Sequence, residues 1–530
     1  WALATTATVG LIAVLGLVFA SPALAKKPLP TRSDNETAEE QRDPPPELSV
    51  EDRAELFKPY QEAMQRGQKA QAADALLPIL DEYDSGEAHG EAWVKLGDLL
   101  TSFDMEYSAL VAYSRGIEAD PDVGAAKVSL AIELADKLGD NRIIAPILAS
   151  NMGLKVDKGT RSKMAYLAAR HNFQNGDFGM ALGMLIMVDK KSESFMEAEA
   201  LRGVVLSQQG QNNKAMAPLL TAQALGRQKN KGERFDNVLT LNVARTYFAA
   251  GNYPRAMEFY GKVDRGSDFW PQAWYEKAWS HFRFDDMSGT LATLMVHDSP
   301  FFRDWYLPEA DLLRTYALFL MCKFPDATDE IEAFEARYNP LRDELTRTLG
   351  SYSPQDGWAD GLGAMKRTET TMPKNMLRPF VKDERFVGAV SAVAKADDEL
   401  ERLKNVSANV FAHRATLTLT ERKAQIIEEE GQRIVNRAAK ARDELKAMLS
   451  NVQITKLDMM QYETTMYERA AQVGELEGGD RIGQLRKLRN KSSVRVWPYQ
   501  GEVWADELGY YRITARPDCP ESLRPGAKTR

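Results

Sequence analysis

The chain is poor in the residues that usually carry chemistry. It has two cysteines and five histidines in 530 residues. Two cysteines cannot build a disulfide-dense scaffold. The histidines, at 89, 171, 281, 297 and 413, share no metal-ligand spacing. The sequence lacks a Gly-x-Ser-x-Gly elbow, a His-Glu-x-x-His pair, a Walker loop and paired-cysteine spacing. It also lacks an excess of positive charge: 68 Lys and Arg stand against 76 Asp and Glu, a net charge of −8. That balance speaks against nucleic-acid binding, which needs a basic footprint to displace counterions. No enzymatic activity, metal or cofactor is expected. What is present is an ordinary globular composition, 44% apolar and 27% charged, rich in Ala, Leu, Glu and Lys, which leans towards an all-α protein.

Residues Val9 to Ala20 form an apolar run, followed by Ser21-Pro22-Ala23-Leu24-Ala25. Small residues at 23 and 25 make the A-x-A pattern of a signal peptidase site, with Pro22 ending the helix before it. Residues 1–25 are therefore read as a signal peptide cleaved near Ala25, and the mature protein as periplasmic. A membrane anchor is the alternative, and it needs ~20 apolar residues. Residues 26–49, with Pro28, Pro30 and Pro44 to Pro46, read as a linker.

From 50 to 340 amphipathic helices alternate with short turns. Trp93, Leu96, Gly97, Ala109, Tyr113 and Pro121 set a frame: a bulky residue, Leu-Gly, a small residue, an aromatic four later, and a closing proline. Gly176, Phe178 and Ala181 repeat its turn, as do Gly203, Leu206, Gly210 and Ala215, then Ala244, Tyr247, Gly251, Tyr253, Ala256 and Tyr260, and last Cys322, Phe324 and Ala327. Ala244 and Ala278 lie 34 residues apart. The frame and its period resemble the tetratricopeptide repeat. The resemblance implies a superhelix of stacked helix pairs whose concave face, lined by the first helix of each repeat, binds proteins. It places Arg245, Phe248, Tyr275, Trp279 and Phe282 on that face. They are candidates for a partner-binding groove, with Arg245 taking a carboxylate; the alternative is that they are ordinary core. The Lys and Asn pattern of chaperone-tail clamps is absent.

Residues 341–382 read as a connector. Its Gly361-Leu-Gly363-Ala-Met-Lys366 lacks the spacing of a phosphate loop. Residues 383–475 read as a helical hairpin or coiled coil. Ala424, Ile427, Gly431, Ile434, Ala438, Ala441, Leu445, Met448 and Val452 recur three and four apart. The turn is expected at Phe411 to Thr420, where threonines lower helix propensity. An intermolecular coiled coil, and hence self-association through this arm, is the alternative. Glu428 to Glu430 read as a solvated face. Residues 476–530 form an aromatic C-terminal segment with Trp497, Tyr499, Trp504, Tyr510 and Tyr511. That much apolar surface should dock, either on this chain's repeats or on a partner. In an oxidising compartment Cys322 and Cys519 could bridge and fasten it.

The signal segment, the Phe269-Trp-Pro-Gln-Ala-Trp274-Tyr-Glu-Lys-Ala278 repeat, the helical pair and the terminal Trp497 to Tyr511 box resemble periplasmic tetratricopeptide proteins of myxobacteria and their relatives linked to adventurous gliding motility. The resemblance implies a scaffold whose partners are other envelope proteins, reaching membranes only through them. A periplasmic carrier or chaperone for exported proteins is the alternative.

Overall fold

The computed structural model describes residues 49–302, 305–404, 410–473 and 506–518. The signal segment, all but the last residue of the linker, Trp497, Tyr499, Trp504 and Cys519 lie outside them. The protein is all-α, a tetratricopeptide-type superhelix of antiparallel helix pairs. After a lead-in helix α1 (Val50–Leu56), the pairs are α2 (Lys58–Gln65) with α3 (Lys69–Glu82), and α4 (Glu87–Ser102) with α5 (Glu106–Ala119). A short turn of helix α6 (Pro121–Gly124) leads to α7 (Val128–Leu138) with α8 (Ala145–Ser150), then α9 (Lys158–Gln174) with α10 (Phe178–Ile186). The array continues with α11 (Phe195–Gln208) and α12 (Asn212–Gln228), and with α13 (Glu233–Ala249) and α14 (Tyr253–Tyr260). It ends with α15 (Trp270–Arg283) and α16 (Met287–Leu294), then α17 (Pro308–Leu320) and α18 (Phe324–Leu349).

Two devices make the pairs. In seven of them the residue two before the second helix has a positive φ: Gly67, Asp104, Gly176, Gly210, Gly251, Asp285 and Cys322. The left-handed conformation there reverses the chain, and glycine adopts it without the steric cost other residues bear. The second device is a small residue facing a large one sixteen positions later. A Cβ on Gly97 would lie 2.5 Å from the Tyr113 ring, and one on Gly203 would lie 2.4 Å from Leu219. Ala244 and Tyr260 keep the same spacing, both buried. The large side chain fills the space the small one leaves, which lets the two helices approach closely.

Among the described residues four further helices follow: α19 (Pro354–Lys366), α20 (Lys374–Val381), α21 (Glu384–Lys404) and α22 (Val410–Val473). At 64 residues α22 is roughly 96 Å long. It packs antiparallel to α21 and also on α3, α18 and α19, while α21 packs on α5 and α7. Both helices of the expected pair are present, α21 to Lys404 and α22 from Val410, and the threonines do not fall in a turn. Thr416 and Thr420 sit inside α22, their hydroxyls donating to the carbonyls of Ala412 (2.8 Å) and Thr416 (2.7 Å). Nor is it a projecting arm, because Ile434, Ala438, Ala441, Leu445 and Val452 of the predicted seam are buried within this chain. One core runs from Phe57 through the first pairs, across α21 and α22, and into α17 and α18. The two ends of the array are held together by the helices that follow it.

Backbone closeness and charge fix that junction. A Cβ on Gly431 would fall 1.8 Å from the Pro354 carbonyl oxygen, so α19 starts directly against the backbone of α22. Gly361 is no phosphate loop: it lies within α19, where a Cβ would meet Phe386 at 2.3 Å. Glu430 is 0% exposed, so the solvated reading of the glutamate run fails at this position. Its carboxylate accepts from Arg385 (2.7 Å), Arg142 (3.0 Å) and Arg433. Asp140 beside it takes Arg142 (2.7 Å) and the Tyr107 hydroxyl (2.9 Å). Burial pushes the Asp140 carboxyl up, but Arg142 and Arg422 outweigh it and hold it below its ordinary range. At the other end of α21, Glu399 accepts the backbone N–H groups of Tyr107 (2.6 Å) and Ser108 (3.0 Å), capping α5 from outside its own pair.

Candidate functional site: two faces of the repeat array

The five residues predicted to line a groove lie together on α13 and α15, but inside the packing. Tyr275 is 1% exposed and Arg245 5%, while Phe248 and Trp279 are also buried and only Phe282 is half-buried. Trp279 Nε1 donates to the Tyr275 hydroxyl at 2.8 Å. The carboxylate that Arg245 takes is the chain's own: its Nε and Nη2 donate to the two oxygens of Glu276 at 2.8 and 2.6 Å. Gln272 donates to the same carboxylate at 2.8 Å. Burial works against the Arg245 charge, but the two-point contact with Glu276 more than offsets it and keeps the guanidinium above its ordinary value. Burial likewise lifts Tyr275 well above the usual phenol range. The physical reason for the difference is local. A buried arginine cannot wait unpaired for a partner, so α15, the first helix of the next pair, supplies its counter-ion.

Across this aromatic region runs a strap, residues 506–518, which opens with a turn at 506–509 and continues without helix. Leu508 is buried with Trp270, Trp274 and Val263. Gly509 has φ 88°, and a Cβ there would lie 3.0 Å from Trp274 and 3.1 Å from Trp270, so both conformation and space call for glycine. Arg265 donates to the Leu508 carbonyl and lies over the Tyr510 ring at 5.4 Å. Tyr510 itself is 76% exposed, whereas Tyr511 packs against the buried cluster. Further on, side chains alternate: Tyr511, Ile513 and Ala515 are half-buried, Arg512, Thr514 and Arg516 exposed. The Ser288 hydroxyl bonds both the N–H and the carbonyl of Ala515, each at 3.2 Å. The Asp518 N–H donates to the Met321 carbonyl (2.9 Å), and its carboxylate pairs with Lys323 (3.0 Å). The described part of the aromatic segment therefore lies on its own repeats. Cys322, between those two partners, is buried and disulfide-bonded.

A second face was missed by the sequence reading. Helix α10 reads Phe-Gly-Met-Ala-Leu-Gly-Met-Leu-Ile and carries no charge. Ala181 and Leu185 point inward, while Gly179, Met180, Gly183 and Ile186, with Met187 just beyond the helix, are exposed, Ile186 at 75%. Gly179 and Gly183 are one turn apart with open space above both. Leu220 on α12 adds to the exposed apolar surface. The signal was available: a surface helix of nine residues with nothing polar on its outer side breaks the usual amphipathic pattern. The repeat frame drew attention to Gly176 and Ala181 instead.

Among the described residues no helix is long and apolar enough to cross a membrane, and no three His, Cys, Asp or Glu side chains converge as a metal site. No protein-family model and no curated protein matches the sequence. Solved structures with a similar arrangement include a tetratricopeptide repeat protein from Parabacteroides merdae, at 13% identity over 50% of this chain and 98% of that one, with a TM-score of 0.26. They also include a Rap protein complexed with Competence and Sporulation Factor, at 12% identity over 73% of this chain and 99% of that one, with a TM-score of 0.27.

Proposed function

We propose that this protein is a non-enzymatic scaffold of the bacterial periplasm, binding partner proteins in an envelope assembly such as a gliding-motility machine. The observation that carries the binding role is the uncharged outer face of α10, where Met180, Ile186 and Met187 stand exposed around Gly179 and Gly183. Methionines adapt to varied partner surfaces, and the two glycines let a partner backbone come close. A superhelix of stacked pairs gives such a face a fixed position relative to the rest of the array. The compartment and the machine rest on the apolar segment with its A-x-A site and on the family resemblance.

The test is crosslinking in intact cells, followed by affinity purification and mass spectrometry of the wild type and of a Met180→Glu/Ile186→Glu variant. The scaffold reading expects a short, reproducible set of envelope proteins in stable proportion, lost from the variant while its thermal midpoint is unchanged. A long set of unrelated exported proteins would identify a carrier instead. Partners retained by the variant would move the docking surface elsewhere.

A further inference from the structure

The far end of α22 has two apolar sides. Leu445, Leu449, Val452, Thr455 and Met459 are buried, and Lys456 beside them reaches Glu332 of α18 at 3.5 Å. On the outer side Ile454, Leu457 and Met460 are exposed, Leu457 at 67%. A second seam runs along that side: Ala447, Ser450, Ile454, Leu457, Gln461, Thr464 and Glu468 recur alternately three and four apart. That is the spacing by which one helix faces another along its length. The seam read from the sequence, through Ile434 to Val452, is a different one and is used up inside this chain.

The outer side is also without charge. From Ala447 to Thr464 every exposed residue is uncharged, whereas earlier in the same helix Arg414, Glu421, Glu428, Glu429 and Asp443 stand exposed. A helix with only water beside it gains nothing from such a side. The first exposed charges beyond the stretch are Lys446 and Glu468, opposite in sign and each eleven residues from Leu457. At 3.6 residues per turn both lie within about 20° of Leu457 around the helix. Asp443, further out, is matched by Arg442 at 2.8 Å.

We propose that this side of α22 pairs two copies of the chain, antiparallel, about a two-fold axis at Leu457. A second copy turned end for end sets Leu457 on Leu457, Ile454 against Met460, Ser450 against Thr464, and Lys446 beside Glu468. Two-fold symmetry makes each unlike pair twice, as a self-complementary contact requires. A parallel pairing would instead set Lys446 on Lys446 and Glu468 on Glu468, which like-charge repulsion opposes. A stripe whose two halves match each other fits a second copy, whereas an unrelated partner has no need of that symmetry. From Lys446 to Glu468 the contact is roughly 33 Å long. One helix pair of that length lies at the low end of the ~1,200–2,000 Å² of stable interfaces, so the dimer is a weak one, with a Kd of about 10 µM. Nothing in this inference depends on the α10 face.

The test is sedimentation velocity of the full-length protein between about 1 and 200 µM, with the wild type beside Leu457→Glu, Lys446→Glu and the double exchange Lys446→Glu/Glu468→Lys. The wild type is expected to pass from monomer to dimer across that range. Leu457→Glu should stay monomeric throughout, with its thermal midpoint unchanged, because the side chain it replaces is exposed. Lys446→Glu should weaken the dimer about tenfold, and the double exchange should restore it. A single monomeric species at every concentration overturns the proposal and leaves the face to another segment or another protein. A dimer that Leu457→Glu leaves intact overturns it as well. Loss of the dimer in Leu457→Glu with no effect of Lys446→Glu overturns the antiparallel arrangement. If Leu457→Glu fails to fold, the charge exchange decides.

Discussion

The same repeat unit is held in two different ways in this molecule. At the ends of the array, α2 to α8 and α17 to α18 share one continuous core with α21 and α22. In the middle, α10 to α12 bury their side chains in small separate clusters and leave Met180, Ile186 and Leu220 exposed. An open repeat array is stabilised pair by pair, each against its neighbours. Here the long helix adds contacts between pairs far apart in sequence, such as Arg414 with Asp81 (2.5 Å) near one end and Tyr306 with Ala441 (3.2 Å) near the other. The difference teaches that curvature is set at the ends and surface is offered in the middle. A change in the clamp should therefore be felt at both ends, and a change in the middle only locally.

The sharpest way to break that contrast is Glu430→Ala. It leaves Arg385, Arg142 and Arg433 facing one another without their shared carboxylate, a loss expected to cost about 3–5 kcal/mol. Hydrogen exchange should accelerate at both ends together, in α5 and α7 and in α17 and α18, as well as in α21. Acceleration confined to α22 would mean the clamp does not couple the ends. Arg245→Ala strips Glu276 of its partner in the same chemical sense, yet its exchange should change only in α13 to α16.

A matched pair of glycine substitutions sharpens the comparison at smaller cost. In Gly431→Ala the new methyl meets the Pro354 carbonyl oxygen, backbone that cannot swing away. About 3 kcal/mol of destabilisation in a urea titration is expected. In Gly203→Ala the close contact is with the Leu219 side chain, with the Ala215 carbonyl oxygen next at 3.1 Å, so a side chain rather than backbone must give way first. Alanine also favours the helix over glycine by ~1 kcal/mol, so the net loss should be about 1 kcal/mol or less. Equal losses would show that the middle is packed as rigidly as the clamp.

Protonation probes the clamp from another side. Burial raises the Glu309 carboxyl to about 7, with Glu444 adding to the rise and Arg437 and Lys440 opposing it. The folded state therefore holds a proton that the unfolded chain has released, between the ordinary value of 4.5 and about 7. Stability contributed by the neutral form is present below that window and is lost as pH rises through it. A drop of about 2 kcal/mol between pH 5 and pH 8, removed by Glu309→Gln, is the expected result in denaturation curves. A variant with the wild-type pH slope would assign it to another group.

The repeat frame was legible because it is made of local steric rules. A small residue sixteen places before a large one, and a left-handed residue two before a helix, are readable at Gly97 and Tyr113 or at Gly251 and Tyr253 without a structure. The clamp was not legible. The seam of α22 announced a helix with a buried side, but the period of Ile434, Ala438 and Leu445 is the same whether the partner is another chain or the ends of this array. Glu430 looked like its neighbours Glu428 and Glu429, because burial of a charge depends on arginines 45 and 288 residues away. The predicted groove residues meet a related limit. The spacing put Arg245 on the correct helix, but only the first helix of the next pair, through Glu276, decides whether that charge is matched.

Cys322 shows how a local anomaly points to a distant contact, and it carries the smallest expected effect. It occupies the left-handed turn position where four other pairs place glycine and two place aspartate. Such a substitution costs backbone strain at a site where nothing about a repeat needs sulfur. Its disulfide supplies the reason, and Cys519, the other cysteine of the sequence, is the proposed partner: Asp518 is already bonded to Met321 and Lys323 on either side of Cys322. The strap touches α15, α16 and the turn before α18 and adds only the half-buried Ile513 and Ala515 to the edge of the continuous core, so freeing it should shift the thermal midpoint by only a few degrees. Native protein is expected to show no reactive thiol, and reduction to release two per chain. After reduction trypsin should cut at Arg512 several-fold faster, because Ser288, the Leu508 pocket and the Asp518 contacts must then hold the segment without the covalent link. Cleavage at the same rate in both states would mean that those contacts suffice, and that the sulfur pair closes the chain without restraining the strap.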